Sequence, residues 1–303
     1  MADLRVSIAG VTLKNPVIAA SGTFGVGREY ANFFPLSKLG GISCKGTSLA
    51  PRMGNPPPRI AETPSGMLNS VGLQNRGVDA FLKSDLPWLR EQGTVIISNI
   101  AGNTAEEYGE LAARLDGSDV DMIEVNISCP NVKHGGASFG ASCDAAAEVT
   151  RQVRQNTKKP VIIKLTPNVT SIADVAQSVE AEGADAVSLI NTILGMRIDI
   201  RTRRPVMRNN TGGLSGPAVL PIAVRMIHEC YQRVKIPIIG MGGITSWQDA
   251  VELMLAGAAA VQVGTATITD PYAMPTIISD LEDYLNREGI ASVTELTGRV
   301  ELW

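Results

Sequence analysis

The chain has 303 residues, 44% of them hydrophobic and 19% charged, with 27 Lys and Arg against 30 Asp and Glu for a formal net charge of -3. Such usage supports a buried core and excludes a disordered chain, and the acidic balance argues against a broad basic surface for nucleic acid. No apolar run approaches the roughly 20 residues needed to cross a bilayer.

The N-terminal stretch Met1-Ala-Asp-Leu-Arg5 has no basic region leading into an apolar segment, so no secretory signal and a cytoplasmic location are expected. A hairpin is predicted next, from Arg5 to Ile8 and Val11 to Leu13. Eight short apolar runs follow: Val17–Ala20, Gly41–Lys45, Val95–Ile100, Met122–Ile127, Val161–Leu165, Ala186–Ile190, Pro237–Gly240 and Ala260–Val263. Most lack strict alternation, which is the pattern of parallel strands covered on both faces.

Between them, Thr104-Ala-Glu-Glu107, Ser171-Ile-Ala-Asp174 and Ser246-Trp-Gln-Asp249 fit the capping box that opens a helix. After the second, Ile172, Val175, Ala176 and Val179 fall on one helical face. Eight strand-then-helix units in a chain of this length predict an α/β TIM (β/α)8 barrel with an N-terminal β-hairpin, one domain over 1–303. Two segments, Gly46 to Gly77 and Ile193 to Gly216, are too long for simple connectors and are expected to be long structureless loops over the active face. Within the second, Arg197 to Arg208 reads as a solvated loop.

A barrel of this kind binds ligands at the carboxyl ends of its strands, with phosphate most often after the seventh and eighth. There the chain reads Gly240-Met-Gly-Gly-Ile244 and Val263-Gly-Thr-Ala266, glycine turns whose backbone N–H groups can take an anion. Gly212-Gly-Leu-Ser-Gly-Pro217 is a third turn leading into a helix. A single such glycine usually does no more than end a strand tightly. No G-x-G-x-x-G follows a strand and no P-loop is present, so neither a nicotinamide dinucleotide site nor a nucleoside triphosphate site is indicated.

Lys45, Asn99, Asn126, Lys164 and Asn191 end other strands, with Asn69 and Asn131 on adjacent loops. A lone Asn there is more simply a turn residue. Five strands ending this way suit a neutral, imide-like heterocycle, with Lys45 placed for a ligand carboxylate and Lys164 for negative charge developing on a cofactor.

The four cysteines, Cys44, Cys129, Cys143 and Cys230, have no metal-ligand spacing, so no disulfide framework, metal site or iron–sulfur cluster is expected in this chain. Cys44 and Cys230 read as buried, inert thiols, and Cys143 lies beside the expected cap Ser142. Cys129 stands just beyond the fourth strand, where a thiol can act as nucleophile or proton acceptor. The segment after it, Val132-Lys-His-Gly-Gly136, is a candidate lid, with His134 read as a loop residue.

Taken together, Asn15-Pro16, Ala20-Ser-Gly22, Lys45-Gly46, Asn69-Ser-Val-Gly-Leu-Gln-Asn75, Asn126-Ile-Ser-Cys-Pro-Asn131, Gly240-Met-Gly-Gly-Ile244 and Val263-Gly-Thr265 resemble the flavin-dependent dihydroorotate dehydrogenases nearly end to end. The resemblance implies a TIM barrel with FMN at its C-terminal face that oxidises dihydroorotate to orotate in pyrimidine synthesis. Cysteine at 129, Gly72-Leu-Gln-Asn75 and Pro130-Asn-Val-Lys-His-Gly-Gly136 are similar to class 1B. Members of that class reach NAD through a second subunit carrying FAD and a [2Fe–2S] cluster, in a heterotetramer of two catalytic and two electron-transfer chains.

Carried over by motif, Ser21, Lys45, Gly46, Asn99, Asn126, Lys164, Ile190, Gly216, Gly242, Gly243, Gly264 and Thr265 would bind FMN. Lys45, Asn69, Ser70, Val71, Gly72, Leu73, Asn126, Asn131, Asn191 and Thr192 would hold the pyrimidine and its carboxylate. Cys129 would take the C5 proton while hydride leaves C6 for the flavin. The alternatives are a fumarate-dependent class 1A homodimer, another flavin barrel acting on pyrimidines, and a non-redox phosphate-binding isomerase. Among the flavin barrels, a dihydrouridine synthase is disfavoured by the acidic charge.

Overall fold

Strands buried on both faces have one stable arrangement when each is followed by a helix, a closed parallel barrel with the helices outside. A computed structural model describes residues 1–128 and 139–303. In it β1 (Val6–Ile8) and β2 (Val11–Leu13) form the expected antiparallel hairpin, with Ile8 opposite Val11. The barrel opens with β3 (Val17–Ala19) and β4 (Gly41–Ser43), and the first insert then supplies β5 (Ile60–Thr63) and β6 (Gly66–Asn69). It continues with β7 (Val95–Ile100), β8 (Met122–Asn126), β9 (Val161–Lys164) and β10 (Ala186–Leu189). A second insert carries β11 (Ile193–Gly195), β12 (Ile198–Asp199), β13 (Arg204–Pro205) and β14 (Gly212–Ser215). Then β15 (Ile238–Met241) and β16 (Ala260–Val263) complete the barrel.

The closed order is β3-β4-β7-β8-β9-β10-β15-β16, parallel throughout, so all eight predicted runs are barrel strands. The fourth through sixth runs and the first two end one or two residues earlier than expected, and the seventh begins at Ile238. Each of the three predicted caps opens a helix. Thr104 accepts from the N–H of Glu107, Ser171 from Asp174 and Ser246 from Asp249. Only the third closes as a reciprocal box, since Glu107 reaches back to the N–H of Asn103 and Asp174 pairs with Arg233. Ile172, Val175, Ala176 and Val179 are all buried, as their shared face requires.

The two inserts are not structureless, and here the sequence expectation is corrected. Their strands join in a four-stranded antiparallel sheet, β11-β14-β6-β5, in which Gly213 pairs with Asn69 and Leu214 with Leu68. The expected third glycine turn is likewise a strand over Gly212–Ser215, and only Gly216, at φ +99°, turns the chain toward the helix Leu220–Tyr231. Arg197 to Arg208 carries the small β12-β13 hairpin, with Arg201, Arg203 and Arg204 exposed as a solvated segment should be. Among the described residues no helix is long and apolar enough to cross a membrane.

Candidate active site

One cavity opens where the carboxyl ends of the barrel strands meet the insert sheet. Every described residue that the sequence singles out for flavin or pyrimidine lines it, which brings together positions as far apart as Ser21 and Thr265. Cys129 and Asn131, with His134 and the candidate lid, lie outside the described residues. The β6 residue Asn69 and the following Ser70 to Leu73 form one wall, and Asn191 and Thr192, just past β10, form another. Insert sheet and barrel are tied across the cavity by the Thr265 hydroxyl, which donates to Ser215 at 2.8 Å.

The amides are held by their neighbours. Asn126, at the end of β8, accepts from the N–H of Ser128 at 3.1 Å through its side-chain oxygen, and its backbone carbonyl accepts from the buried Tyr108 hydroxyl at 2.7 Å. Asn191 donates to the same side-chain oxygen of Asn126 at 3.5 Å, and Asn69 donates to the Gly213 carbonyl at 3.4 Å. Lys164, at the end of β9 and only 4% exposed, donates to the Ser21 hydroxyl at 3.2 Å. A buried ammonium requires a compensating charge. It is supplied by Glu124 on β8, which is fully buried.

Burial acts most strongly on the Glu124 carboxyl and pushes its pKa up. The Lys164 charge and the donors Ser43, Gln262 and Asn99 outweigh it, holding the group below the usual carboxylate range. Neither Glu124 nor Gln262 was marked by the sequence reading. The signal was there: a Glu inside Met122-Ile-Glu-Val-Asn126 and a Gln inside Ala260-Val-Gln-Val263 are polar residues flanked on both sides by apolar ones within buried strands.

The glycine turns have the expected place, with Gly242, Gly243 and Gly264 all on the cavity wall. At Gly243 the requirement for glycine is steric. Its φ is +84°, and a Cβ there would stand 2.7 Å from the backbone N of Leu220. Gly243→Ala is therefore expected to cost roughly 1–3 kcal/mol of stability. Chemical denaturation checks this, and an unchanged midpoint would show that the Leu220 helix start yields freely. Gly46 acts by absence: a Cβ there would lie 2.8 Å from the side-chain oxygen of Asn99 and cover it.

Cys44, which falls just past the end of β4 rather than within it, and Cys230, in the helix Leu220–Tyr231, are both buried as expected. Burial raises the Cys44 thiol well above the ordinary range and pushes Cys230 up to about 12, which makes both poor thiolates. Cys143 begins the helix Cys143–Asn156 behind the cap Ser142, whose hydroxyl accepts from the N–H of Ala145.

Fold and cavity define the class: a TIM barrel with a cleft at the carboxyl ends of its strands, lined by amides, two lysines and glycine turns. A profile described as dihydroorotate dehydrogenase matches residues 3–285. The chain belongs to the dihydroorotate dehydrogenase family. It is 56% identical over 297 residues to the dihydroorotate dehydrogenase B (NAD(+)) catalytic subunit of Geotalea uraniireducens (strain Rf4), covering 98% of this chain and 97% of that one. It is 56% identical over 301 residues to the protein of the same description from Desulforamulus reducens (strain ATCC BAA-1160 / DSM 100696 / MI-1), covering 99% of each. For that of Geobacillus kaustophilus (strain HTA426) the figure is 55% over 300 residues, covering 99% of this chain and 96% of the other.

Proposed function

We propose that the chain oxidises dihydroorotate to orotate in pyrimidine biosynthesis, as the catalytic subunit of a two-component, NAD-linked dihydroorotate dehydrogenase working in the cytoplasm. The whole of 1–303 is read as one catalytic domain. The observation that carries the reading is the convergence of Lys45, Asn69, Asn126, Lys164 and Asn191 on one cavity with the Gly242-Gly243 and Gly264 turns, in a chain 56% identical to a relative of that description.

FMN fits the residues present. Its phosphate matches the glycine turns after β15 and β16, and its hydrogen-bond donors match two buried acceptors with no partner among the described residues, the side-chain oxygens of Asn99 and Gln262. When bound, FMN supplies the two-electron acceptor for the reaction. Ser21, Lys45, Gly46, Asn99, Asn126, Lys164, Ile190, Gly216, Gly242, Gly243, Gly264 and Thr265 would hold it.

The remaining work falls to the chain. Lys45 neutralises the substrate carboxylate, while Asn69, Ser70 to Leu73, Asn126, Asn131, Asn191 and Thr192 orient the ring through donors and acceptors suited to its amides. Cys129 takes the C5 proton. Lys164 would bring positive charge to the cavity against the negative charge that reduction places on the cofactor. The resemblance to class 1B implies FAD and a [2Fe–2S] cluster on a partner subunit, in a heterotetramer, and the absence of a dinucleotide fingerprint and of cluster-type cysteine spacing from this sequence fits that division.

The test is anaerobic addition of dihydroorotate to the purified yellow protein, for which bleaching of the visible flavin absorption is expected. A colourless protein that cannot be reconstituted with FMN would overturn the reading. Rapid fumarate-dependent turnover by the isolated chain would replace the two-component form with a homodimeric one.

A further inference from the structure

The four donors around Glu124 use all of its capacity as an acceptor. One carboxylate oxygen accepts from the Ser43 hydroxyl at 2.7 Å and from the Asn99 amide at 2.6 Å. The other accepts from the Ser188 hydroxyl at 2.8 Å and from the Gln262 amide at 2.7 Å. An ionised carboxylate can only accept, so both carboxamides must turn their NH2 groups toward it. Their oxygens are thereby left facing elsewhere. Both are buried without a hydrogen-bond partner among the described residues, and both residues line the cavity. A buried acceptor without a partner is costly, and a bound ligand that donates to it removes the cost.

We propose that Glu124 is a positioning residue whose carboxylate orients Asn99 and Gln262 so that each presents an acceptor oxygen to the flavin cavity. The same geometry makes Gln262 a ligand-contacting residue that recognises an N–H or O–H donor of the bound flavin. Gly46 belongs to the same device, since any side chain there would meet the Asn99 oxygen. The inference rests on the flavin reading of the cavity.

A carboxamide at 124 would carry one donor edge, so one of the two orienting contacts would become a donor facing a donor. Either Asn99 or Gln262 would then reverse and place an NH2 where an oxygen stood. The experiment strips flavin from the wild-type holoenzyme, E124Q and E124Q/Q262E and titrates each with FMN, following quenching of flavin fluorescence. E124Q is expected to bind FMN roughly tenfold more weakly, in proportion to one hydrogen bond lost and one donor misplaced.

The double variant is expected to recover a substantial part of that loss, because the carboxylate introduced at 262 can accept from the amide introduced at 124 with one oxygen and offer the other to the cavity. A purely structural role for Glu124 predicts the opposite order, since the second substitution would add damage. FMN affinity in folded E124Q within about twofold of wild type, or a double variant weaker than the single, would overturn the proposal. If E124Q does not fold, Q262M decides by the same titration: it keeps the carboxylate and should still lose several-fold in FMN affinity, and unaltered affinity would sink the idea. Wild-type protein that takes up no FMN would instead remove the flavin reading itself.

Discussion

Cys129→Ala is expected to retain its flavin and its colour while losing roughly 10²–10⁴-fold in the rate at which dihydroorotate reduces it, the usual worth of a positioned proton acceptor. A free thiol near its reference pKa of about 8.5 already supplies some thiolate at neutral pH. Cys129→Ser should keep partial activity that rises toward high pH, because a hydroxyl gives up its proton far less readily. Rapid-mixing measurement of flavin reduction across pH checks both variants, and near-normal reduction in the alanine variant would take Cys129 out of the mechanism.

The other cysteines in apolar surroundings cannot substitute for it, since burial holds the Cys44 and Cys230 thiols protonated. Ser128, the residue before Cys129, is buried, lines the cavity and donates to the Lys164 carbonyl at 2.8 Å.

Lys164→Met should have the largest effect on the fold. It removes the charge that does most to offset the burial of Glu124 and leaves the buried carboxylate to its hydrogen-bond donors alone, an expected cost of about 3–5 kcal/mol. The pH dependence should also change sign. In the wild type the Glu124 pKa lies below its unfolded value. Its contribution to stability is therefore present above the unfolded pKa and is lost as pH falls through the folded one.

In the variant burial is expected to prevail and to lift the folded pKa above the unfolded value. Folding would then take up a proton, and the variant should regain part of its deficit as pH falls through the folded pKa toward the unfolded carboxylate range. Denaturant unfolding of both proteins at neutral and at mildly acidic pH measures this. A variant that weakens with acid in parallel with the wild type would show that the Glu124 donors suffice without Lys164.

The barrel was legible because its eight strands are mostly apolar without strict alternation and three of its helices carry explicit caps at Thr104, Ser171 and Ser246. The cavity residues were legible for a related reason: Asn126 and Lys164 close strands whose other members are mostly apolar, so their polarity is conspicuous. The insert sheet was hidden because its strands are three or four residues long and two of them are rich in glycine or open on one, as in Gly212–Ser215 and Gly66–Asn69. Pairing between distant segments, not local propensity, makes them strands. Glu124 and Gln262 were overlooked for the opposite reason, being single polar residues inside runs read as core.

The insert sheet also bears on when a site exists at all. Asn69 and Gly213, which pair across β6 and β14, are 144 residues apart in the chain. Such a contact forms only after a long closure, so one wall of the cavity comes into being when the sixth barrel strand and its insert are already in place. A nascent chain that ends short of β14 holds Lys45, Asn99, Asn126 and Lys164 but encloses nothing. The cavity spans both inserts, so the free energy of a ligand bound there would be coupled to their union, and saturating ligand should protect the amides of β6 and β14 from exchange together, as one cooperative unit.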